Sequence, residues 1–402
     1  MTVILLAAIN QDYQELFAKI KIDNYAADKL TDKCNFYHFY LKDINNIAAN
    51  VIKQEALSKG AEAVVSRQTL VNPKGTTDIL LAVTGKQLQL FLTSIAEQPF
   101  GLKALAQEIL TTYENMRHPL PTLQIRGQLV DFSQKTYVMG ILNVTPDSFS
   151  DGGKFQSPQS ALEQAQKLIA EGADIIDIGG ESTRPGSKQI TVEEELARVI
   201  PVITALRKLN SKIILSIDTT KAQVAKAAVQ AGADLVNDVS AGLFDQKMLT
   251  TVAELGVPIV LMHTPATPDM MQSKTEYDNF LVDIYVALEK RVHAAQEAGI
   301  NRGNIIIDPG IGFGKNRQQN LALINNIAVF QGLGLPVLIG SSRKRFIGDI
   351  LAKDANERIF GTAATLAISV YHNVNIVRVH DVAQMVDVVK IAQSIREEDG
   401  NA

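Results

Sequence analysis

From about residue 136 onward the chain repeats one pattern. Short, nearly unbroken runs of Val, Ile and Leu recur at Tyr137–Leu142, Asp174–Ile178, Ile213–Ile217, Asp234–Val236, Pro258–Met262, Asn304–Ile307, Pro336–Ile339 and Asn375–Val379. Continuous apolar runs, as opposed to alternation, mark strands buried on both faces. Amphipathic helical stretches stand between them, such as Ala161–Ile169 and Phe280–Ala298. Thr191 followed by Glu194 reads as a capping box opening another helix. Gly172 and Gly232, each within Gly-Ala-Asp just before a strand, read as helix stops. The repeated tripeptide is therefore a structural unit used twice. Eight strands alternating with helices predict an α/β fold, a (β/α)8 barrel over residues 129–402. A doubly wound sheet is the alternative, although it usually has fewer strands.

Residues 1–128 read as a small α/β domain. Strands are expected at Thr2–Ile9, Cys34–Leu41, Ala61–Val65 and Thr77–Val83, with a helix after the first, a helix after the second, and two more starting at Lys86 and Leu102. Pro119-Leu120-Pro121 sits where a linker belongs, because proline resists continuation of a helix. This region shows no catalytic constellation.

Composition narrows the picture. With 402 residues, 46% hydrophobic and 20% charged, the chain is ordinary globular protein and too long for one barrel. A net charge of −4 gives no basic footprint for nucleic acid, though one local anion pocket is compatible with it. The single cysteine, Cys34, rules out a disulfide framework and a cysteine zinc site, and its apolar neighbours suggest a packed thiol. The apolar start Thr2–Ile9 lacks a basic segment before it, and no run reaches the length of a membrane span. A soluble, cytoplasmic protein is expected.

A barrel builds its active site at the C-terminal ends of its strands. All eight predicted exits carry polar groups: Asn143 to Gly153, Gly179 to Ser187, Asp218-Thr219, Asn237-Asp238, His263, Asp308 to Lys315, Ser341 to Lys344, and Arg378 to Asp381. One such loop is usually a turn with a helix cap, but eight facing one mouth are not. The two long Gly/Ser/Thr/Pro loops after the first and second strands look like mobile binding loops. Arg378 and His380, two apart on a strand, point to one face and suit a phosphate or diphosphate, unless Arg378 serves a structural pair with an aspartate. The carboxylates of Asp218 and Asp308 with the amide of Asn237 could read the donor edge of an amino-substituted heterocycle; otherwise they are polar filling of the barrel layers. Lys344 could neutralise a ring or a second substrate. His263 reads equally as a pocket residue or as a satisfied barrel histidine. Gly310-x-Gly312-x-Gly314 has the wrong spacing for a dinucleotide fingerprint, and Gly314-Lys315-Asn316 fails as a P-loop. No His-Glu-x-x-His and no Ser/His/Asp triad stands out.

Taken together, these strings resemble the dihydropteroate synthase family. Gly140-Ile141-Leu142-Asn143-Val144-Thr145-Pro146-Asp147-Ser148-Phe149-Ser150-Asp151-Gly152-Gly153 is similar to its first signature and Asp177-Ile178-Gly179-Gly180-Glu181-Ser182-Thr183-Arg184-Pro185-Gly186 to its second. Ser216 to Thr219, Asn237 to Val239, Asp308 to Lys315, Ser342 to Lys344 and Arg378 to Asp381 follow in the family's order. The likeness spans about 137–398.

It implies an enzyme, a transferase, that joins 6-hydroxymethyl-7,8-dihydropterin diphosphate to 4-aminobenzoate with release of diphosphate, in folate synthesis and open to sulfonamide competition. By the same resemblance Asp218, Asn237, Met262, Asp308, Phe313 and Lys344 hold the pterin. Asn143, Arg378 and His380 take the diphosphate, with Asn143 at a Mg2+ ion. Phe149, Thr183, Arg184, Pro185 and Ser342 surround the 4-aminobenzoate. Lys344, Arg378, His380 and Asp218 are the expected catalytic groups, and a homodimer is implied. A pterin-dependent methyltransferase of a related barrel and an inactive barrel acting as a binding module are the alternatives. After the fifth strand the family usually has Met-His-Met-x-Gly, whereas this chain has Met262-His263-Thr264-Pro265-Ala266.

Overall fold

A computed structural model describes residues 13, 17, 20–118, 122–145, 158–182 and 189–398. The chain falls into two compact units that divide between Arg117 and His118. No helix among the described residues is long and apolar enough to cross a membrane.

The first unit holds a three-stranded antiparallel sheet of β1 (Phe36–Asn45), β2 (Glu62–Val65) and β3 (Thr76–Thr84), in the order β1-β3-β2. Exposure alternates along β1 and β3, as expected of a sheet covered on one side. Phe39, Leu41, Ala63, Ile79, Leu81 and Val83 face a core built with helices Asn46–Ser58, Gly85–Ala96 and Leu102–Arg117. Phe36, Tyr40, Val64 and Leu80 face outward. The expected strands from Cys34, Ala61 and Thr77 and the helices from Lys86 and Leu102 all form within two residues of their expected starts. Cys34 is a correction: it is the last residue of helix Asn24–Cys34, and there the thiol is exposed, not packed.

The second unit opens with a hairpin, β4 (Thr122–Ile125) and β5 (Gln128–Asp131), turned through Arg126 at φ 50° and Gly127 at φ 72°. Two successive positive φ values are what a tight two-residue hairpin turn demands, and glycine supplies one of them without strain. Eight parallel strands follow: β6 (Tyr137–Asn143), β7 (Ile175–Gly179), β8 (Ile214–Asp218), β9 (Leu235–Asp238), β10 (Ile259–Met262), β11 (Ile305–Asp308), β12 (Leu338–Ile339) and β13 (Ile376–Val379). They pair in sequence, with β13 returning beside β6. A bridge between Ile307 and Val337, with Ile307 N donating to Pro336 O at 2.9 Å, joins β11 to β12 and closes the barrel.

The floor of the barrel is one layer. Each strand contributes a single inward residue: Met139, Ile175, Ile214, Leu235, Val260, Ile306, Leu338 and Ile376. Leu123, Ile125, Val130 and Phe132 join this layer, so the hairpin corks the N-terminal end. The hairpin was not expected from the sequence, and it starts before residue 128. On the outside, Val138, Ile176, Leu215, Val236, Leu261 and their neighbours pack against the helices.

The Gly-Ala-Asp repeat has a structural explanation. Gly172 and Gly232 take φ 103° and 121° to end their helices. The following aspartate then accepts the backbone N–H that opens a neighbouring strand: Asp174 from Val138 at 3.0 Å and Asp234 from Leu215 at 2.9 Å. The expected capping box between Thr191 and Glu194 opens helix Val192–Leu209.

Candidate active site

The site follows from the floor by the two-residue period of a strand. One step above each floor residue, the inward positions are Ile141, Asp177, Ser216, Asn237, Met262, Asp308, Gly340 and Arg378. A further step brings Asn143, Gly179, Asp218 and His380 to the rim. An apolar layer thus gives way within one pleat to a layer of three charged side chains and an amide.

Arg378 is the hub. Its Nε donates to Asp177 Oδ2 and its Nη2 to Asp218 Oδ2, both at 2.6 Å. Asn237 Nδ2 donates to the same Asp177 oxygen at 3.0 Å. The structural pairing considered for Arg378 is therefore present, and it is made with the groups of the pocket itself. Burial pushes the Asp218 carboxyl up to about 7, with Asp177 adding to the rise and Arg378 opposing it. Arg378 itself is held above its ordinary value by Asp177 and Asp218 against the cost of burial.

Asp308 ends β11 and accepts from Gly310 N at 2.7 Å; burial raises it to about 6, while that hydrogen bond, Lys344 and Lys315 pull it down. Gly310 stands at φ 73°, and a Cβ there would meet His263 O at 2.0 Å, so only glycine permits this approach. Lys344 Nζ lies 4.3 Å from the ring centroid of Phe313, and burial lowers the amine to about 8, helped by Arg378. Met262 and Phe313 share a small apolar cluster with Val239 and Met271. The expected pterin residues thus converge in one pocket.

At the rim, Ser342 Oγ lies 3.0 Å from His380 Nδ1 and accepts the His380 backbone N–H at 3.2 Å. A hydroxyl proton given to Nδ1 leaves the ring proton on Nε2. Burial, then Arg378 and Arg343, push the imidazole down to about 3, so it is neutral near pH 7. Arg343, at φ 56°, is held by both oxygens of Asp381. Asn143 ends β6 opposite Gly179 and is half-buried. Phe149, Thr183, Arg184 and Pro185 lie outside the described residues.

Other groups carry structure that spacing did not reveal. His263 is a satisfied histidine: its Nδ1 is 3.0 Å from Lys315 Nζ, which also donates to Phe313 O. Lys315 is buried, and burial lowers it to about 7. Lys221 bridges Glu181 and the buried Glu195, while Glu181 also accepts from Ile190 N at 2.8 Å. The departure after the fifth strand is accommodated locally. Thr264 Oγ1 donates to Ala266 O at 2.8 Å, and Pro265 packs against the backbone of Gly314, where a Cβ would come within 2.1 Å. Asp177 receives no role from motif spacing; its signal in the sequence is a carboxylate in the middle of the apolar strand Ile175–Gly179.

A barrel whose mouth is lined with paired carboxylates, an amide and two cations defines an enzyme that seats a polar heterocycle at its strand ends. A family model described as pterin binding enzyme matches residues 139–380, more than half the chain. A dihydropteroate synthase of Synechocystis is 46% identical over 276 residues, covering 68% of this chain and 95% of its own. A Xanthomonas albilineans dihydropteroate synthase with 4-aminobenzoic acid superposes with a TM-score of 0.64 at 42% identity, covering 69% of this chain and 98% of that one. The Xanthomonas albilineans dihydropteroate synthase in complex with 7,8-dihydropteroate gives 0.62 at 40% identity, over 69% and 99%. The chain belongs to the dihydropteroate synthase family of pterin-binding enzymes.

Proposed function

We propose that this chain condenses 6-hydroxymethyl-7,8-dihydropterin diphosphate with 4-aminobenzoate, giving 7,8-dihydropteroate and diphosphate. The observation that carries the reading is the convergence of Asp218, Asn237, Asp308, Lys344 and Arg378 on one pocket, beside the apolar Met262 and Phe313. Two carboxylates accept from the amino and ring N–H groups of the heterocycle, as acceptor-only groups must. Lys344 donates on the opposite side, and Met262 and Phe313 pack against the ring. Their spacing selects a flat, donor-rich heterocycle and holds its methylene toward the rim.

There the leaving group meets Arg378 and His380. The guanidinium and the Nε2–H stabilise charge as it develops on the departing oxygen. The diphosphate takes the electron pair of the C–O bond; the amine of 4-aminobenzoate supplies the pair of the new C–N bond and then loses a proton. A bound phosphate oxygen near His380 favours its protonated form, against the burial that keeps it neutral in the free enzyme. Ser342 orients that ring and borders the place of the 4-aminobenzoate, which Phe149, Thr183, Arg184 and Pro185 would complete.

Among the described residues no group of three or more His, Cys, Asp or Glu side chains could hold a metal by itself. Asn143 offers one neutral oxygen at the rim. That suits Mg2+, which usually keeps its waters and binds through one or two protein oxygens plus substrate phosphates. When bound, the ion would neutralise diphosphate charge. Helices Ile359–Tyr371 and Val382–Glu398 border an apolar groove that includes Ala363, Ala367, Ile391 and Ile395, and Phe360 is 79% exposed nearby. We assign this face to a homodimer contact. A cytoplasmic setting accords with the exposed thiol of Cys34.

The test is diphosphate release from the pterin diphosphate with and without 4-aminobenzoate. Stoichiometric release that needs both substrates, and that a sulfonamide suppresses competitively, is expected. Release independent of the arylamine, or none, would sink the reading.

A further inference from the structure

Asp177 is the one carboxylate of the inner layer that neither reaches the rim nor carries a role in the reading above. It is wholly buried. Its Oδ1 has no hydrogen-bond partner, and in the β7–β8 register it sits beside Ser216, whose Oγ is likewise unpartnered. All its bonding runs through Oδ2, which accepts from Arg378 Nε at 2.6 Å and from Asn237 Nδ2 at 3.0 Å. A buried carboxylate is costly unless its charge is met, and here one guanidinium meets it.

The geometry has two consequences. Arg378, on β13, and Asn237, on β9, belong to strands that are not neighbours, and a single oxygen ties them together. A planar guanidinium held at Nε and Nη2 also has little freedom to turn. We propose that Asp177 is the positioning residue of this site: through one oxygen it fixes the guanidinium that meets the leaving group against the amide that holds the ring. The inference rests on the pterin diphosphate reading. It goes further in stating that ring-holding and leaving-group activation are mechanically one unit, set from beneath by a group no substrate touches.

The experiment is Asp177→Asn, alone and combined with Arg378→Lys, with steady-state kinetics for each substrate. The isosteric amide keeps volume and can still accept from Asn237, but it removes the charge that orients Arg378. kcat/KM for the pterin diphosphate should fall by about 10- to 100-fold, the usual cost of losing a buried orienting partner. KM for 4-aminobenzoate should be unchanged. On the Arg378→Lys background the same substitution should cost little, because the interaction it serves is already broken.

The pH profile supplies a readout that a purely structural role would not move. Asp218 is faced by Arg378 of β13, Asp177 of β7, Asp238 of β9, Glu195 of the helix after β7 and Lys344 after β12. Removing the Asp177 charge removes a repulsion, so the acidic limb of kcat/KM should move to lower pH. Should Asp177→Asn fail to fold, Asp177→Glu keeps the charge but displaces it by one methylene, and the same loss confined to the pterin substrate is expected. A wild-type profile in the variant, or an equal loss for both substrates that adds fully to Arg378→Lys, would overturn the proposal. Wild-type enzyme that turns over neither substrate would instead overturn the underlying reading.

Discussion

The two units treat the surface of a sheet in opposite ways. In the first, exposure alternates along the strands, leaving Phe36 and Tyr40 of β1, Val64 of β2 and Leu80 of β3 facing out. In the second, β7 to β11 are buried on both faces, and polarity changes along the strand, not across it. Chemistry needs a place where polar groups are desolvated yet reachable. A one-sided sheet puts its polar groups in water, where they bind weakly. The end of a barrel puts them inside, where Asp218 and Asp308 rise to about 7 and 6 and Lys344 falls to about 8.

Changes in the barrel mouth should therefore dominate activity, while changes on the first sheet should barely register. The largest effect is expected from Arg378→Ala: a loss of about a hundredfold to a thousandfold in kcat, the scale for removing one donor from a developing oxyanion, read by diphosphate release. Unchanged turnover would break the assignment.

Next comes the cork. A chain beginning at His118 keeps β4 and β5 and should melt cooperatively and turn over substrate. One beginning at Phe132 loses Leu123, Ile125 and Val130 from the floor. At about 1.5–3 kcal/mol for each buried aliphatic side chain, it should lose several kcal/mol in denaturant titration, if it folds at all. Equal midpoints for the two chains would show the hairpin to be dispensable.

The pH dependence is intermediate in size. kcat/KM for the pterin diphosphate should fall as pH drops through about 7 and then about 6, when Asp218 and Asp308 take up protons. Stability should run the other way. Both carboxyls lie above their unfolded values, so the stabilisation linked to their protonation is present below the ordinary carboxylate range and is lost as pH rises through 6 to 7. Asp308→Asn should accordingly raise the melting temperature at pH 8 while weakening substrate binding; a lower melting temperature would contradict burial as the cause of its shift.

The smallest effect belongs to the first sheet. Tyr40→Ala, which removes an exposed ring and its bond to Asp78, should change stability by about 0.5 kcal/mol or less and leave turnover untouched.

The barrel was legible because its period is unmistakable: eight apolar runs, each followed by a polar exit. The cluster of Asp218, Asn237, Asp308, Lys344 and Arg378 was legible because these residues sit at those exits. What stayed hidden has physical reasons. The floor cork is a four-residue pair of strands around Arg126-Gly127, too short for periodicity to register and preceded by prolines that suggested only a linker. Cys34 looked packed because Phe36 and Tyr37 follow it, yet helix Asn24–Cys34 ends there and turns the thiol outward. Asp177 and Lys315 act on other side chains, and such service leaves no spacing of its own.

The hairpin beneath the strands has one more consequence. A vessel sealed at its base has a single doorway, so two reactants and two products must share it in turn. On the proposed reading, an arylamine beside Ser342 and His380 would obstruct the heterocycle below it in both directions. The floor layer closes that base in its own right, and the stopper's part is to keep the layer out of water.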